Sequence, residues 1–302
     1  MSPKISVIIP TKDREASLVR SLESVYSQTL KPFEVIVIDD GSTNNTSEFV
    51  LKKFPETRMI VNKHSKGGAV ARNQGAKEAK GDFLAFLDSD DEWMPHHLAT
   101  KIEVLTNKKA DGVFGTFYLV KGEKREEIFF DSNIARNLNI GNAILSIKRF
   151  DARTSTFLFK KSAFYTVKFD ENLKKHQDWD LAINFDTNFN FVLDENPSVQ
   201  IFVEQGEERM SQKLQHKSSF YFINKNSKYI EANNIFMFCL KQIMRSQMAK
   251  ESGEIINRYL MVISPYFNEL TVRNKILFRL LKAGLLNIGR IYILRNKIKQ
   301  PY

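Results

Sequence analysis

Apolar and polar positions along the first hundred residues fall into blocks, and the period changes from block to block. Ile5-Ser6-Val7-Ile8-Ile9 is a nearly continuous apolar run that reads as a buried strand stopping at Pro10, where the ladder donor is missing. The next block has helical spacing, with Leu18, Leu22 and Val25 on one face and Glu15 and Arg20 on the wet side. Val35-Ile36-Val37-Ile38 is β-branched throughout and ends at the turn-forming cluster Asp39-Asp40-Gly41-Ser42. Met59-Ile60-Val61 is a candidate third strand. Gly67-Gly68 then opens an alanine-rich segment, Ala69 to Lys80, expected to be a helix ending at Gly81. Phe83 to Leu87 is another buried strand and runs directly into Asp88-Ser89-Asp90-Asp91.

Strand alternating with helix predicts an α/β fold: a mostly parallel central sheet flanked by helices, with ligands bound outside the carboxyl ends of the strands. Asp13, Asp39 and the Asp88 to Asp91 cluster each follow a predicted strand, so such a sheet would bring three acidic sites to one crevice. Beyond this point the pattern changes. Val113 to Val120 is expected as a strand, Lys121 to Glu127 as a charged turn, and Ile128-Phe129-Phe130 as its antiparallel partner. After Lys217 the spacing is mainly helical, which divides the chain into an α/β domain over 1–216 and a helical C-terminal extension over 217–302. There is no internal repeat and no low-complexity stretch.

Composition adds compartment and partner. With 42% hydrophobic and 26% charged residues, the 302-residue chain is that of a folded protein. The single cysteine, Cys239, lies in the apolar run Ile235 to Leu240 and reads as a buried thiol in a reducing compartment. The first residues lack the features of a secretory signal, and no stretch approaches the length of a membrane span. A cytoplasmic protein is expected, with at most peripheral contact with the cytoplasmic face of the inner membrane. The net charge of +10 and a pI near 9.4 suit an anionic partner. The excess is concentrated at the C-terminus, where Arg273, Lys275, Arg279, Lys282, Arg290, Arg295, Lys297 and Lys299 follow Leu270 without one acidic residue. Helical projection puts Lys275, Arg279 and Lys282 on one side and Ile276, Leu277, Leu280 and Leu281 on the other. That pattern suits a helix lying on an anionic membrane, or one packed on its own domain.

Asp88-Ser89-Asp90 places two carboxylates two residues apart at a strand end, a spacing suited to a hard divalent cation shared with a diphosphate. Taken alone, it is equally a solvated acidic turn. Other segments accompany it: Ser6-Val7-Ile8-Ile9-Pro10-Thr11, Val37-Ile38-Asp39-Asp40-Gly41-Ser42, Ala71-Arg72-Asn73-Gln74-Gly75 and Phe86-Leu87-Asp88-Ser89-Asp90-Asp91, then Phe169-Asp170-Glu171 followed by Gln177-Asp178-Trp179-Asp180-Leu181. In order and spacing, over about residues 4 to 184, they resemble the family 2 glycosyltransferases of GT-A fold that build bacterial surface polysaccharide.

The resemblance implies an inverting, metal-dependent transfer of a sugar from a nucleotide-sugar donor to a glycan or lipid-linked acceptor, in surface polysaccharide or lipopolysaccharide synthesis. Residues 1–105 would bind the nucleotide-sugar and 106–216 the acceptor. Pro10, Thr11 and Asp13 would border the nucleoside. Asp39 would accept a hydrogen bond from the base, and a carboxylate facing an imide N–H favours uracil, hence a UDP-sugar; by its residues alone, Asp39 could equally cap the turn at Gly41. Arg72 would meet phosphate oxygens, or stand on an exposed face. Asp90 would hold Mg²⁺ or Mn²⁺, with Asp88 on the donor ribose or supporting the metal, and Asp178 would be the catalytic base. The chain departs from the family after Leu181, where Ala182-Ile183-Asn184 replaces an expected arginine, and at Arg209-Met210-Ser211, which retains only part of a later motif.

Two other classes fit some of these features. A nucleotidyltransferase acting on sugar phosphates shares the sheet and the carboxylates, but Pro10-Thr11-Lys12-Asp13 has no glycine for its phosphate loop. A non-enzymatic polyanion binder explains the charge and leaves the strand-end carboxylates without purpose, so no nucleic-acid partner is expected. A homodimer through the C-terminal helices is compatible with the sequence.

Overall fold

The structure, a computed structural model, describes residues 2–128, 139–146, 150–203 and 214–289. It divides into two compact units, one comprising Met1–Ile140 and Arg149–Glu207 and the other Gly141–Lys148 and Glu208–Tyr302.

The first unit is built on β1 (Ile5–Thr11), β2 (Glu34–Asp39), β3 (Arg58–Val61), β4 (Phe83–Phe86), β6 (Gly112–Gly115), β9 (Leu158–Lys160) and β10 (Phe191–Asp194), in the order β10-β6-β9-β4-β1-β2-β3. All neighbours are parallel except β9, which is antiparallel to both β4 and β6. The register aligns the carboxyl ends: Thr11 pairs with Asp39 and Asp39 with Val61. Because β9 runs the other way, its beginning, preceded by a turn of 3₁₀ helix at Thr154–Thr156, lies at that same edge. β1 continues one residue past Pro10, since its ladder to β4 has already ended at Ile8.

Apolar helix faces cover the sheet. α1 (Glu15–Tyr26) buries Leu18, Leu22 and Val25, the face expected from the spacing. α2 (Thr46–Lys53) leads into β3. α3 (Gly68–Glu78) packs on β1 and β2 through Gly75, where a Cβ would stand 2.5 Å from Ile8 Cγ2. α3 stops two residues before the expected Lys80, and Gly81 instead lets Lys4 and Ser6 approach its backbone. α4 (His97–Asn107) carries the fully buried Lys101, whose Nζ meets the equally buried Asp194 at 2.9 Å. Phe159, Phe185 and Phe191 form an aromatic cluster with centroids 4.5–5.4 Å apart.

The reading of Val113 to Val120 as one strand is corrected. The chain leaves the main sheet at Gly115, where a Cβ would lie 2.2 Å from Lys101 Nζ, and β7 (Phe117–Lys121) belongs to a second sheet. There it joins β5 (Glu92–Trp93), β8 (Lys124–Ile128) and β11 (Val199–Phe202) in the order β5-β11-β7-β8. The expected charged turn shrinks to Gly122-Glu123, and Lys124 to Glu127 pair with β7 as a strand exposed enough to keep its charges wet. Phe129 and Phe130 lie outside the described residues.

The second unit contains α5 (Ile140–Ser146) from Gly141 onward, α8 (His216–Asn226), α9 (Ala232–Met248), α10 (Gly253–Ile263) and α11 (Val272–Lys282). α6 (Lys161–Val167) and α7 (Gln177–Asn188) belong to the first. Phe222, Phe236, Cys239, Ile243 and Tyr259 fill the second unit's interior, where burial pushes the Cys239 thiol up. Among the described residues no helix is long and apolar enough to cross a membrane.

Candidate active site

The carboxyl ends of β1 and β2 are laced together by the side chains that follow them. Asp39, 2% exposed, accepts from Ser42 N–H at 2.8 Å and from the Ser47 hydroxyl at 3.0 Å, so the turn-capping role is real. A carboxylate has lone pairs left for a further donor. Asp13 takes the left-handed conformation (φ 51°), and its carboxylate accepts from Thr43 N–H at 2.7 Å, which holds its pKa below the ordinary value. Pro10 and Thr11 end β1 opposite Ile38 and Asp39, and the buried Thr11 Oγ1 has no protein partner. Asp40 anchors the approach to α3. Although burial pushes its pKa up, hydrogen bonds from Lys66 N–H, Ser65, Gly67 N–H and Asn62 hold it below the usual value.

The turn after β4 gathers three carboxylates. Asp88 Oδ1 meets Arg72 Nη2 at 2.5 Å, Asp90 pairs with Arg14, and the buried Asp91 accepts from the Ser155 hydroxyl at 2.6 Å. Burial first, then the charges of Asp90 and Asp88, push Asp91 well above the normal carboxylate range. Ser155 also accepts from Asp88 N–H at 3.1 Å, so one hydroxyl from the turn before β9 fixes both ends of the cluster. Arg20 closes the outer side, donating to Asp90 O at 3.0 Å and pairing with Glu92 at 2.7 Å.

Arg72 connects this turn to the start of α7. While Nη2 holds Asp88, Nη1 donates to Gln177 Oε1 at 2.9 Å, and the guanidinium lies 5.3 Å from the Phe169 ring centroid. Asn73 binds the same segment, accepting from Phe169 N–H at 3.1 Å and donating to Phe169 O at 2.9 Å. His176, left-handed at φ 65°, enters the helix, and Asp178 stands in its first turn. Asp178 keeps some exposed surface, yet protein surrounds it, and desolvation raises its pKa to about 6. Arg153 opposes that rise, while Asp151 and Asp88 add to it. Asp151 in turn binds Arg153 at 2.6 Å and Trp179 Nε1 at 2.7 Å.

The residues singled out as donor, metal or base candidates therefore stand on this edge, or on a side chain tied to it. Asp39, Asp13, Thr11 and Pro10 flank β1 and β2, and the contacts Asp88–Arg72–Gln177 lead to Asp178. Arg72 is an inward residue, with 11% of its side chain exposed, and not a surface arginine. Sequence reasoning missed Asp40, Arg14, Asp151, Arg153 and Ser155. Arg14 adjoins Asp13, so proximity was a signal; the last three precede an antiparallel strand that a parallel pattern does not locate. Arg209-Met210-Ser211 lies outside the described residues.

Among the described residues no three His, Cys, Asp or Glu side chains form a cage for a metal ion. Asp88 and Asp90 are nevertheless hard oxygen donors close enough to Asp91 to raise its pKa. Such a pair fits a cation of the Mg²⁺ type, which takes one or two carboxylates and completes its shell with phosphate oxygens and water.

The model of glycosyl transferase family 2 matches residues 6–168, just over half of the chain. The chain is 35% identical over 118 residues to the Escherichia coli UDP-Glc:alpha-D-GlcNAc-diphosphoundecaprenol beta-1,3-glucosyltransferase WfgD, a match covering 38% of this chain and 46% of that one. It is 30% identical over 173 residues to the Campylobacter jejuni GalNAc(5)-diNAcBac-PP-undecaprenol beta-1,3-glucosyltransferase, covering 56% and 55%. The chain thus spans about half the length of these relatives. Staphylococcus aureus TarS 1-349, solved in complex with UDP-GlcNAc, superposes with a TM-score of 0.69 at 19% identity, over 99% of this chain and 93% of that 1-349 chain. The expected GT-A architecture, with helices added at the C-terminus, is borne out by that likeness.

Proposed function

Because the chain belongs to glycosyl transferase family 2, we propose that it is an inverting glycosyltransferase that moves a sugar from a UDP-linked donor to a lipid-linked glycan in bacterial surface polysaccharide synthesis. The observation that carries this reading is the contact path Asp88–Arg72–Gln177, which joins the acidic donor-side turn to the helix of Asp178. The names of the E. coli and C. jejuni relatives point to a diphosphoundecaprenol-type acceptor, and the E. coli name and the TarS ligand to UDP.

Asp178 is the base. A pKa of about 6 leaves it mostly ionised at neutral pH, and a better proton acceptor than an ordinary aspartate. The acceptor hydroxyl gives its proton to Asp178 as its oxygen bonds to the anomeric carbon, and the bond from that carbon to the diphosphate oxygen breaks on the opposite face. One displacement inverts the centre, and UDP leaves carrying the bonding pair. Arg72 and Arg14, which pair with Asp88 and Asp90, are the cations beside the turn that would meet the oxygens gaining charge, and the unpartnered, buried Nε of Arg72 is one more donor. Asp90, with Asp88, would hold Mg²⁺ or Mn²⁺; when bound, that ion neutralises charge on the diphosphate. Asp39 receives the imide N–H of uracil beside its two protein donors.

Calorimetric titration of UDP, with and without Mn²⁺, tests the donor half. Metal-enhanced binding that is lost in Asp39→Ala and Asp90→Ala is expected. Absence of UDP binding under every metal condition would remove the uridine donor, and retention of full turnover by Asp178→Ala would remove the base.

A further inference from the structure

We propose that the outward face of α11 is a docking surface for an anionic lipid bilayer. α11 packs into its own unit through Asn274, Phe278 and Leu281, all buried. The sequence projection grouped Ile276 with Leu281; the packing separates them, because Asn274 and Phe278 set the inner face nearly opposite Ile276 at 100° per residue. Val272 and Ile276, one turn apart on the outer face, are left 74% and 52% exposed. Arg273 flanks this apolar pair on one side, and Lys275 and Arg279 flank it on the other.

Single exposed apolar side chains need no explanation, but an apolar pair set between cations on one helix face is the pattern of an interfacial helix. The helix is already formed. Thr271 caps its start by accepting from Asn274 N–H, and Gly284, left-handed at φ 70°, closes its end through Gly284 N–H to Leu281 O at 3.0 Å. Docking therefore requires no folding, which lowers the ordering cost. No acidic residue follows Leu270, so the region is complementary to an anionic surface. A second copy of the chain would bring the same cations face to face, at an electrostatic cost. A nucleic acid would use the cations and leave Val272 and Ile276 without a partner.

The test is co-sedimentation of the full chain with vesicles of phosphatidylcholine alone or with about one third phosphatidylglycerol, an anionic fraction that each bound Lys or Arg should reward with about a fivefold gain in partition. Binding to the anionic vesicles only, weakened by high salt, is expected. Arg273→Gln with Arg279→Gln should lower partition by about twenty-fivefold, and Val272→Asp with Ile276→Asp should abolish it. These sites are exposed, so circular dichroism should stay unchanged. Equal partition into both vesicle types, wild-type partition by either double variant, or a solution dimer dissolved by Val272→Asp/Ile276→Asp would overturn the proposal. Binding is read without sugar donor, so its failure leaves the proposed reaction standing.

Discussion

Replacing Asp178 by asparagine should make the protein more stable and at the same time inactive. Raising the carboxyl from 3.8 to about 6 corresponds to a ceiling of about 3 kcal/mol for holding it ionised in the folded protein. Partial exposure screens that figure, leaving about 1–3 kcal/mol. The sign follows from proton binding. Between the unfolded and folded pKa values the native state holds the proton more tightly, so stability falls as pH rises through this window, and the full penalty applies above about 6. Asparagine keeps the shape without the charge. Urea unfolding of wild type and Asp178→Asn should therefore show the full gain near pH 8, about half of it near pH 5, and almost none below the unfolded value of 3.8. Turnover should drop by about 10²–10⁴-fold in the same variant. A gain independent of pH would assign the effect to packing, and a loss of stability near pH 8 would refute the desolvation argument altogether.

Three other outcomes follow from the same contacts. Arg153→Gln removes the cation that holds the Asp178 pKa down, so the acid limb of the pH–kcat/KM profile should move upward from about 6; an unmoved limb would separate Arg153 from the base. Lys101→Met should destabilise by about 3–5 kcal/mol, because it strands the Asp194 charge, and Asp194→Leu in the same chain should recover most of that in denaturant melts. Gly75→Ala drives a methyl to 2.5 Å from Ile8 Cγ2 and should cost about 1–3 kcal/mol, measured as a shift in urea midpoint at constant slope.

Much of the edge at the carboxyl ends of β1, β2 and β4 was legible because it depends on local signals. Apolar runs that end in Asp39 and in Asp88 to Asp91 state both a strand and what stands at its carboxyl end, and a parallel sheet does the rest. Arg72 left two readings open in the sequence, and burial against Phe169 removes the exposed-face one. The turn before β9 was less legible. Asp151, Arg153 and Ser155 matter because β9 is antiparallel and starts at the edge where its neighbours end, a reversal with no local marker in Leu158-Phe159-Lys160. The single strand expected over Val113 to Val120 failed for a similar reason. The break at Gly115 is imposed by Lys101, a residue of α4 whose buried charge must reach Asp194.

The amino-acid sequence by itself determined the alternation of strands and helices, the strand-end carboxylates, the motif set of the family and the basic C-terminal region, because each is written in short-range periodicity or spacing. Only the tertiary structure decided that Asp88 and Gln177 share Arg72, that Asp178 is desolvated and its pKa raised to about 6, and that Val272 and Ile276 face outward while Phe278 and Leu281 face in. Those properties arise from which distant side chains exclude water around a group, and no local pattern encodes that exclusion.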